Sequence, residues 1–167
     1  MDLIVKNSPI GPIMDWGQGP RRCAVGSAGI GPKLREGDGF TPTGTYALRN
    51  LYWRADRLSK PLCILPARAL ARDDGWCDAP DDPHYNQLVK HPYPVSAEHL
   101  WRDDNLYDLI AVVGFNDQPV TPGRGSAIFL HVAHDGYTHT AGCVALTRHD
   151  LLAALAQLKT GDRVRIS

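Results

Sequence analysis

The sequence predicts a mainly β protein with one or two helices, and the architecture we expect is a closed or sandwiched sheet. Turn-forming residues interrupt the chain at short intervals, with 16 glycines and 13 prolines among 167 residues. Few long amphipathic segments lie between them, whereas several short apolar runs are bounded by Gly or Pro. No repeat or second domain is apparent, so residues 1–167 are interpreted as a single domain, a length sufficient for one core.

The strands are predicted from these apolar runs. Two segments, 107–114 and 126–132, are almost continuously apolar, which is typical of central strands that are covered on both faces. The alternating segment Arg163–Ile166 predicts a final edge strand. Shorter strands are predicted at 3–5, 22–25, 45–48 and 62–65.

The clearest helix is predicted after Cys143. Thr147 is suited to cap it, and Asp150, three residues later, completes a capping-box pattern. Gly161 is suited to end the segment. The apolar face of the helix is formed by Leu151, Leu152, Leu155 and Leu158.

The stretch 72–105 has a different character. It is rich in Asp, Pro, His and Trp and shows neither helical nor strand periodicity. A segment of this length without regular structure is uncommon in a single domain unless it has a function. We therefore interpret it as either a long functional loop or a cap over a site.

Charge and composition argue against two classes of partner. Lys+Arg and Asp+Glu both number 18, so the formal charge is zero and shows no electrostatic signature for nucleic acid or an anionic membrane. No apolar run approaches the roughly 18 residues that a membrane span needs. The first 25 residues show no secretion signal, so we expect a cytoplasmic location. A periplasmic location is the alternative if a leader has been removed.

Cys143 is the candidate nucleophile. Gly142 precedes it, and His131 lies upstream in a predicted buried strand. A histidine can favour the thiolate and later return a proton to a leaving amine. A glycine allows backbone amides to approach a developing oxyanion. His134 and His139 are rivals for the role of base. The other cysteines form no CxxC pair and are interpreted as small core residues: Cys23, Cys63 and Cys77.

The same region raises a zinc alternative, because three histidines and a cysteine lie close together in sequence. Residues i and i+3 of a strand point to opposite faces, so His131 and His134 should not converge if the strand continues. We therefore predict no metal and no other cofactor, and a zinc hydrolase remains a third possibility for the function.

Two ordered motifs resemble the YkuD-type L,D-transpeptidase family. The signature His…Ser/Thr-x-Gly-Cys-x-x-Leu is matched by His131, Thr140, Gly142, Cys143 and Leu146. Upstream, residues 37–44 resemble the Gly-x-Thr-Pro-x-Gly turn of that family. Residues 75–78, 85–86 and 114–116 resemble a bacterial subgroup of it. The resemblance covers roughly residues 20–160.

The resemblance implies a YkuD-like β-sandwich or barrel and a two-step acyl transfer on peptidoglycan stem peptides. Cys143 would attack the carbonyl of the L-centre of diaminopimelate, next to a terminal D-alanine, and His131 would protonate the departing amine. Backbone amides at Gly142 and Cys143 would hold the oxyanion. The residues assigned to substrate binding are Thr140, Trp76, Tyr85, Asn86 and Asn116. For the last four, the alternative interpretation is that they anchor loops.

The chain departs from the family pattern at one position. Family members usually carry Arg two residues after the Cys, where this chain has Ala145. Binding of the substrate carboxylate at that position is therefore lost or moved. Arg148, at the helix start, and Arg124, before the histidine strand, are the candidates to replace it.

The expected function is that of an L,D-carboxypeptidase that releases terminal D-alanine during muropeptide recycling. A cytosolic protein meets soluble muropeptides, so water would accept the acyl group. The first alternative is a periplasmic L,D-transpeptidase, in which the amine of a second stem peptide is the acceptor. The second is a muropeptide-binding module without catalysis, which the missing arginine leaves open. The expected partner is a peptidoglycan stem peptide.

Overall fold

A computed structural model describes all residues, Met1–Ser167, and contains fourteen strands and one helix. The elements in chain order are β1 (Leu3–Ser8), β2 (Gly11–Asp15), β3 (Arg21–Arg22), β4 (Gly29–Gly31), β5 (Phe40–Pro42), β6 (Gly44–Trp53), β7 (Ala67–Ala69), β8 (Asp74–Cys77), β9 (Leu88–Lys90), β10 (Ala97–His99), β11 (Leu109–Val113), β12 (Phe129–Val132), β13 (Val144–Leu146), α1 (Arg148–Gln157) and β14 (Arg163–Ile166).

Nine strands form one sheet. Its main path runs β13-β12-β11-β6-β14-β1-β2-β3, and β7 pairs with β6. Ala24, just after β3, pairs with Ala145 of β13: each amide donates to the other residue's carbonyl, at 2.8 and 2.9 Å. This bridge joins the two ends of the sheet into a barrel. The predicted fold class, mainly β with few helices and a barrel-like sheet, is confirmed.

The barrel interior is a continuous apolar core of 24 buried side chains. The central strands β11 and β12 are buried along their whole length, as their apolar sequence predicted. Helix α1 packs against β12 and contributes Leu151, Ala154 and Leu155 to the core. Burial of this apolar surface is the main stabilising contribution to the fold.

The predicted cap of α1 is confirmed. The Asp150 amide donates to Thr147 Oγ1 at 3.1 Å, and the Thr147 hydroxyl donates to the Asp150 carboxylate at 2.8 Å. This contact satisfies one of the amides that a helix start leaves without an intrahelical partner. No helix of the protein has the length and apolar character needed to span a membrane.

Three strand predictions need correction. The strand Arg163–Ile166 is internal, because β14 pairs with β6 on one side and β1 on the other. Its alternation reflects one exposed face and not an edge position. Residues 62–65 form no strand, since Pro61 and Pro66 flank them and lack the amides of a ladder. Only part of 22–25 is strand, with Arg22 in β3 and Ala24 in the closing bridge.

The irregular stretch 72–105 contains a second sheet of three short strands, in the order β10-β8-β9. Each strand has only three or four residues, too few to produce a periodic pattern. Asp78, just after β8, and Glu98 in β10 line the cavity that contains Cys143. The stretch therefore forms a cap beside the candidate site.

Candidate active site

Cys143 lies immediately before β13, on the wall of a cavity of about 460 Å³. Only 7% of the residue is exposed. Its thiol donates to the Ala127 carbonyl at 3.2 Å, and the sulfur accepts from the Phe129 amide at 3.3 Å. Burial raises the pKa of the Cys143 thiol to about 12, and the nearby Glu98 carboxylate adds to the rise. The thiol is therefore protonated at neutral pH before substrate binds.

His131 lines the same cavity from β12. It lies two residues after Phe129 and so on the same face of the strand, and Phe129 packs in one apolar cluster with Cys143. Its Nδ1 is 2.8 Å from the Val132 carbonyl, which can only accept, so Nδ1 carries the proton and Nε2 is the basic nitrogen. Burial lowers the pKa of His131 to about 4. The imidazole is therefore neutral at pH 7.

A tyrosine and a glutamate support the imidazole, and sequence reasoning did not identify either. The ring of Tyr107 packs edge-on against His131, with centroids 5.3 Å apart. The Tyr107 hydroxyl donates to the Glu98 carboxylate. Burial raises the pKa of Glu98. Because Glu98 lies in the aperiodic stretch 72–105, no local pattern could have assigned it to the site.

Two threonines hold the turn before the nucleophile. The Thr140 hydroxyl donates to the Cys143 carbonyl at 2.7 Å and accepts from the Gly142 amide at 3.1 Å. Thr41 of β5 is fully buried; it accepts from the Gly26 amide at 2.8 Å and donates to the Gly142 carbonyl at 2.9 Å. The upstream Gly-x-Thr-Pro-x-Gly segment therefore contacts the turn of the nucleophile directly.

Gly142 is required at its position by sterics. Its φ of 144° lies where side chains are strained, and a Cβ there would be 2.8 Å from the Phe40 carbonyl oxygen. Its amide is already bonded to Thr140. An oxyanion held by the Gly142 amide would have to share or replace that bond, so this role remains a prediction.

The other residues assigned to substrate binding separate into two groups. Thr140 lines the cavity, as do His134 and His139. Trp76, Tyr85, Asn86 and Asn116 do not line it.

Asn86 braces the wall behind the nucleophile. Its side-chain oxygen accepts from Trp76 Nε1 and from the Ala127 amide, both at 3.0 Å. Its amide nitrogen donates to the carbonyls of Phe115 and Asn116, at 3.0 and 2.9 Å. Ala127 is the residue whose carbonyl accepts the Cys143 thiol. Asn86 therefore positions the site through Ala127.

The two arginines proposed to replace the family arginine lie off the cavity. Arg148 pairs with Asp108 at 3.0 Å and borders a separate cleft. Arg124 is not among the cavity-lining residues either. Ala145 lines the cavity and packs against Ala24 and Ala133. The only lysine or arginine that lines the cavity is Lys33, which sequence reasoning did not identify.

All three histidines of the region line the cavity, because β12 ends at Val132 and the strand argument does not extend to His134. However, no three His, Cys, Asp or Glu side chains in the protein converge closely enough to hold a metal ion.

The fold and the site define a class of protein. A closed β barrel carries a buried cysteine and a neutral histidine on one cavity wall, and a glycine turn precedes the cysteine. These are the groups that a cysteine acyltransferase requires. Residues 11–166 match the family model YkuD, the L,D-transpeptidase catalytic domain, so the chain belongs to this family. No curated protein and no solved structure matched the chain. Membership supports L,D-transpeptidase-type acyl transfer on peptidoglycan-derived substrates.

Proposed function

We propose that the protein is an L,D-carboxypeptidase that removes terminal D-alanine from stem tetrapeptides during muropeptide recycling. The Cys143 sulfur attacks the carbonyl carbon on the L-centre of diaminopimelate, and the thiol proton passes to Nε2 of His131. The tetrahedral intermediate collapses as His131 gives this proton to the D-alanine nitrogen, and a thioester remains. Water then attacks the thioester, and the products are the tripeptide carboxylate and the free thiol.

The resting protonation states suggest the timing of the first step. The pKa of the thiol is raised to about 12 and that of the imidazole is lowered to about 4, so the neutral pair is favoured over the ion pair before substrate binds. The proton therefore moves to His131 as the carbon–sulfur bond forms.

The observation that carries the choice of water as acceptor is the enclosure of Cys143. The residue is 7% exposed, and its cavity of about 460 Å³ is near the lower end of volumes that hold a single small ligand. Water reaches such a sulfur more easily than the amine of a second stem peptide, which must enter beside the bound acyl chain. A cytoplasmic location belongs to the same proposal, and cell fractionation tests it.

Two alternatives each have an observation in their favour. A cross-linking L,D-transpeptidase is favoured by the activity for which the family is described. A muropeptide-binding module without turnover is favoured by the thiol bond of Cys143, which goes to the Ala127 carbonyl rather than to a histidine.

One experiment separates these functions. The purified protein and its Cys143→Ala variant are incubated with a disaccharide-tetrapeptide, alone and with excess acceptor peptide, and the products are read by mass spectrometry. The proposal predicts loss of one D-alanine without dimers, abolished by Cys143→Ala. Cross-linked dimers would identify a transpeptidase. An unchanged tetrapeptide that nevertheless binds the protein would identify a binding module.

A further inference from the structure

Lys33 reaches the candidate site along a route that two glycines leave open. It follows β4, and only 4% of the residue is exposed. A Cβ on Gly125 would lie 2.6 Å from Lys33 Cε, and a Cβ on Gly142 would lie 3.6 Å from Nζ. Both glycines have positive φ, 131° and 144°. The ammonium group of Lys33 therefore lies beside Gly142, the residue that precedes Cys143.

The ammonium group has hydrogen-bonding capacity to spare. Its only hydrogen bond in the protein goes to Asp38 Oδ1, at 2.7 Å, whereas an ammonium carries three N–H donors. Buried donors without acceptors are costly, and Lys33 lines the cavity, where a bound anion can supply acceptors.

Asp38 acts as an anchor for the lysine. Its carboxylate also accepts from the amides of Leu34, Arg35 and Phe40, at 2.9, 3.2 and 3.1 Å. These three bonds occupy the carboxylate and fix its position, so Asp38 can hold one N–H of Lys33 while the others remain available. The remaining charged side chains that line the cavity, histidines apart, are acidic: Glu36, Asp78 and Glu98. Lys33 is therefore the one fixed positive charge there.

We propose that Lys33 binds the terminal carboxylate of the leaving D-amino acid. This inference rests on the proposed function. It identifies the Lys33 ammonium group as the feature that would restrict cleavage to the C-terminal residue of the substrate. The carboxylate of the leaving residue is only one residue beyond the scissile carbonyl, a distance of about 3.8 Å between Cα atoms. Lys33 Nζ would be 3.6 Å from a Cβ on Gly142, the residue before Cys143, so the ammonium group is close enough to the nucleophile to meet a carboxylate one residue beyond the scissile carbonyl.

The test compares two substrates that differ only at the C-terminus. One is the tetrapeptide with a free D-alanine carboxylate, and the other has a carboxamide there. The ratio of kcat/KM for acid over amide is measured for the wild type, Lys33→Gln, Lys33→Arg and a matched control, Lys60→Gln, at an exposed lysine. Because each ratio is taken within one preparation, a partly unfolded fraction cancels.

The expected result is a selective loss. Lys33→Gln should lower kcat/KM for the acid about 10- to 100-fold and change the amide little, because one charge-assisted contact is lost. Lys33→Arg should retain part of the preference, and Lys60→Gln all of it. The proposal is overturned if Lys33→Gln keeps the wild-type ratio. It is also overturned if both substrates lose equally, because Lys33 would then serve the oxyanion or the fold.

Calorimetric binding measurements distinguish a failure of the Lys33 proposal from a failure of the proposed carboxypeptidase function. Cys143→Ala and Cys143→Ala/Lys33→Gln are titrated with both tetrapeptides. If the wild type turns over neither substrate but only the first variant prefers the acid, the carboxypeptidase function fails and the Lys33 site stands. If neither variant distinguishes acid from amide, the Lys33 site fails.

Discussion

Thr41 connects the upstream turn to the nucleophile through one buried hydroxyl. It accepts from the Gly26 amide at 2.8 Å and donates to the Gly142 carbonyl at 2.9 Å. Thr41→Val keeps the shape of the side chain and removes only these bonds, so no cavity is created. The substitution therefore isolates the contribution of the hydroxyl.

The expected magnitude follows from the two backbone groups that lose their partner. A buried polar group left unsatisfied costs about 1–3 kcal/mol, so the pair should lower the free energy of unfolding by about 2–6 kcal/mol. At about 2–4 °C per kcal/mol for a chain of this size, that corresponds to a fall in Tm of about 4–24 °C. Because Gly142 precedes the nucleophile, a shift of the turn should also lower kcat/KM about 10- to 100-fold.

Thermal unfolding and tetrapeptide turnover are measured with two controls. Thr43→Val makes the same change two residues away at an exposed threonine whose side chain has no hydrogen bond, and should be near neutral. Thr41→Ser keeps the hydroxyl and should recover most of the activity. If Thr41→Val melts and reacts like Thr43→Val, the hydroxyl does not hold the turn and this reasoning is refuted.

Three further predictions concern the thiol, an acid and an amide. At pH 7 Cys143 should react with iodoacetamide more slowly than a free cysteine, and its reaction rate should rise above pH 9, because burial raises the pKa of its thiol to about 12. A rate at pH 7 equal to that of a free thiol, measured by peptide mapping, would contradict this. The pKa of Asp38 is held at about 2, because the bonds from Lys33 and backbone amides outweigh the upward effect of burial. Its stabilising contribution is therefore complete above about pH 4 and lost between pH 4 and pH 2, so urea midpoints of wild type and Asp38→Asn should converge there. Asn86→Asp sets a carboxylate oxygen against the carbonyls of Phe115 and Asn116 and should cost about 2–3 kcal/mol in urea unfolding, whereas an unchanged midpoint would show that Asn86 is not a brace.

Local sequence pattern predicted the elements whose signal is local. The apolar runs of β11 and β12 and the capped helix are encoded within about ten residues each, and all three appear. The helix nevertheless ends at Gln157, before the expected stop at Gly161, and Leu158 is already extended. The candidate nucleophile Cys143 and its partner His131 were identified from a motif only sixteen residues long, 131–146, and they line one cavity.

The parts that escaped prediction depend on contacts between distant segments. Thr41 and Gly142 are 101 residues apart, so their hydrogen bond depends on the fold bringing two distant segments together. Strands such as β3 and β4 have two or three residues, too few for periodicity to register. The edge assignment of β14 was wrong because alternation reports which face is exposed and carries no information on the neighbouring strands.

Closure of the barrel and assembly of the site depend on the same contacts. The bridge between Ala24 and Ala145 joins the ends of the sheet two residues from Cys143. Gly26 and Thr140 form a second bridge next to it. The segment that leads into β4 and β5 is therefore held against the turn that precedes Cys143. Lys33, in the connection between those strands, is thereby brought to the cavity. A partly folded barrel without these bridges would lack both the contacts that hold the Cys143 turn and the Lys33 ammonium group in the cavity. The motif residues alone are therefore not sufficient to form the site.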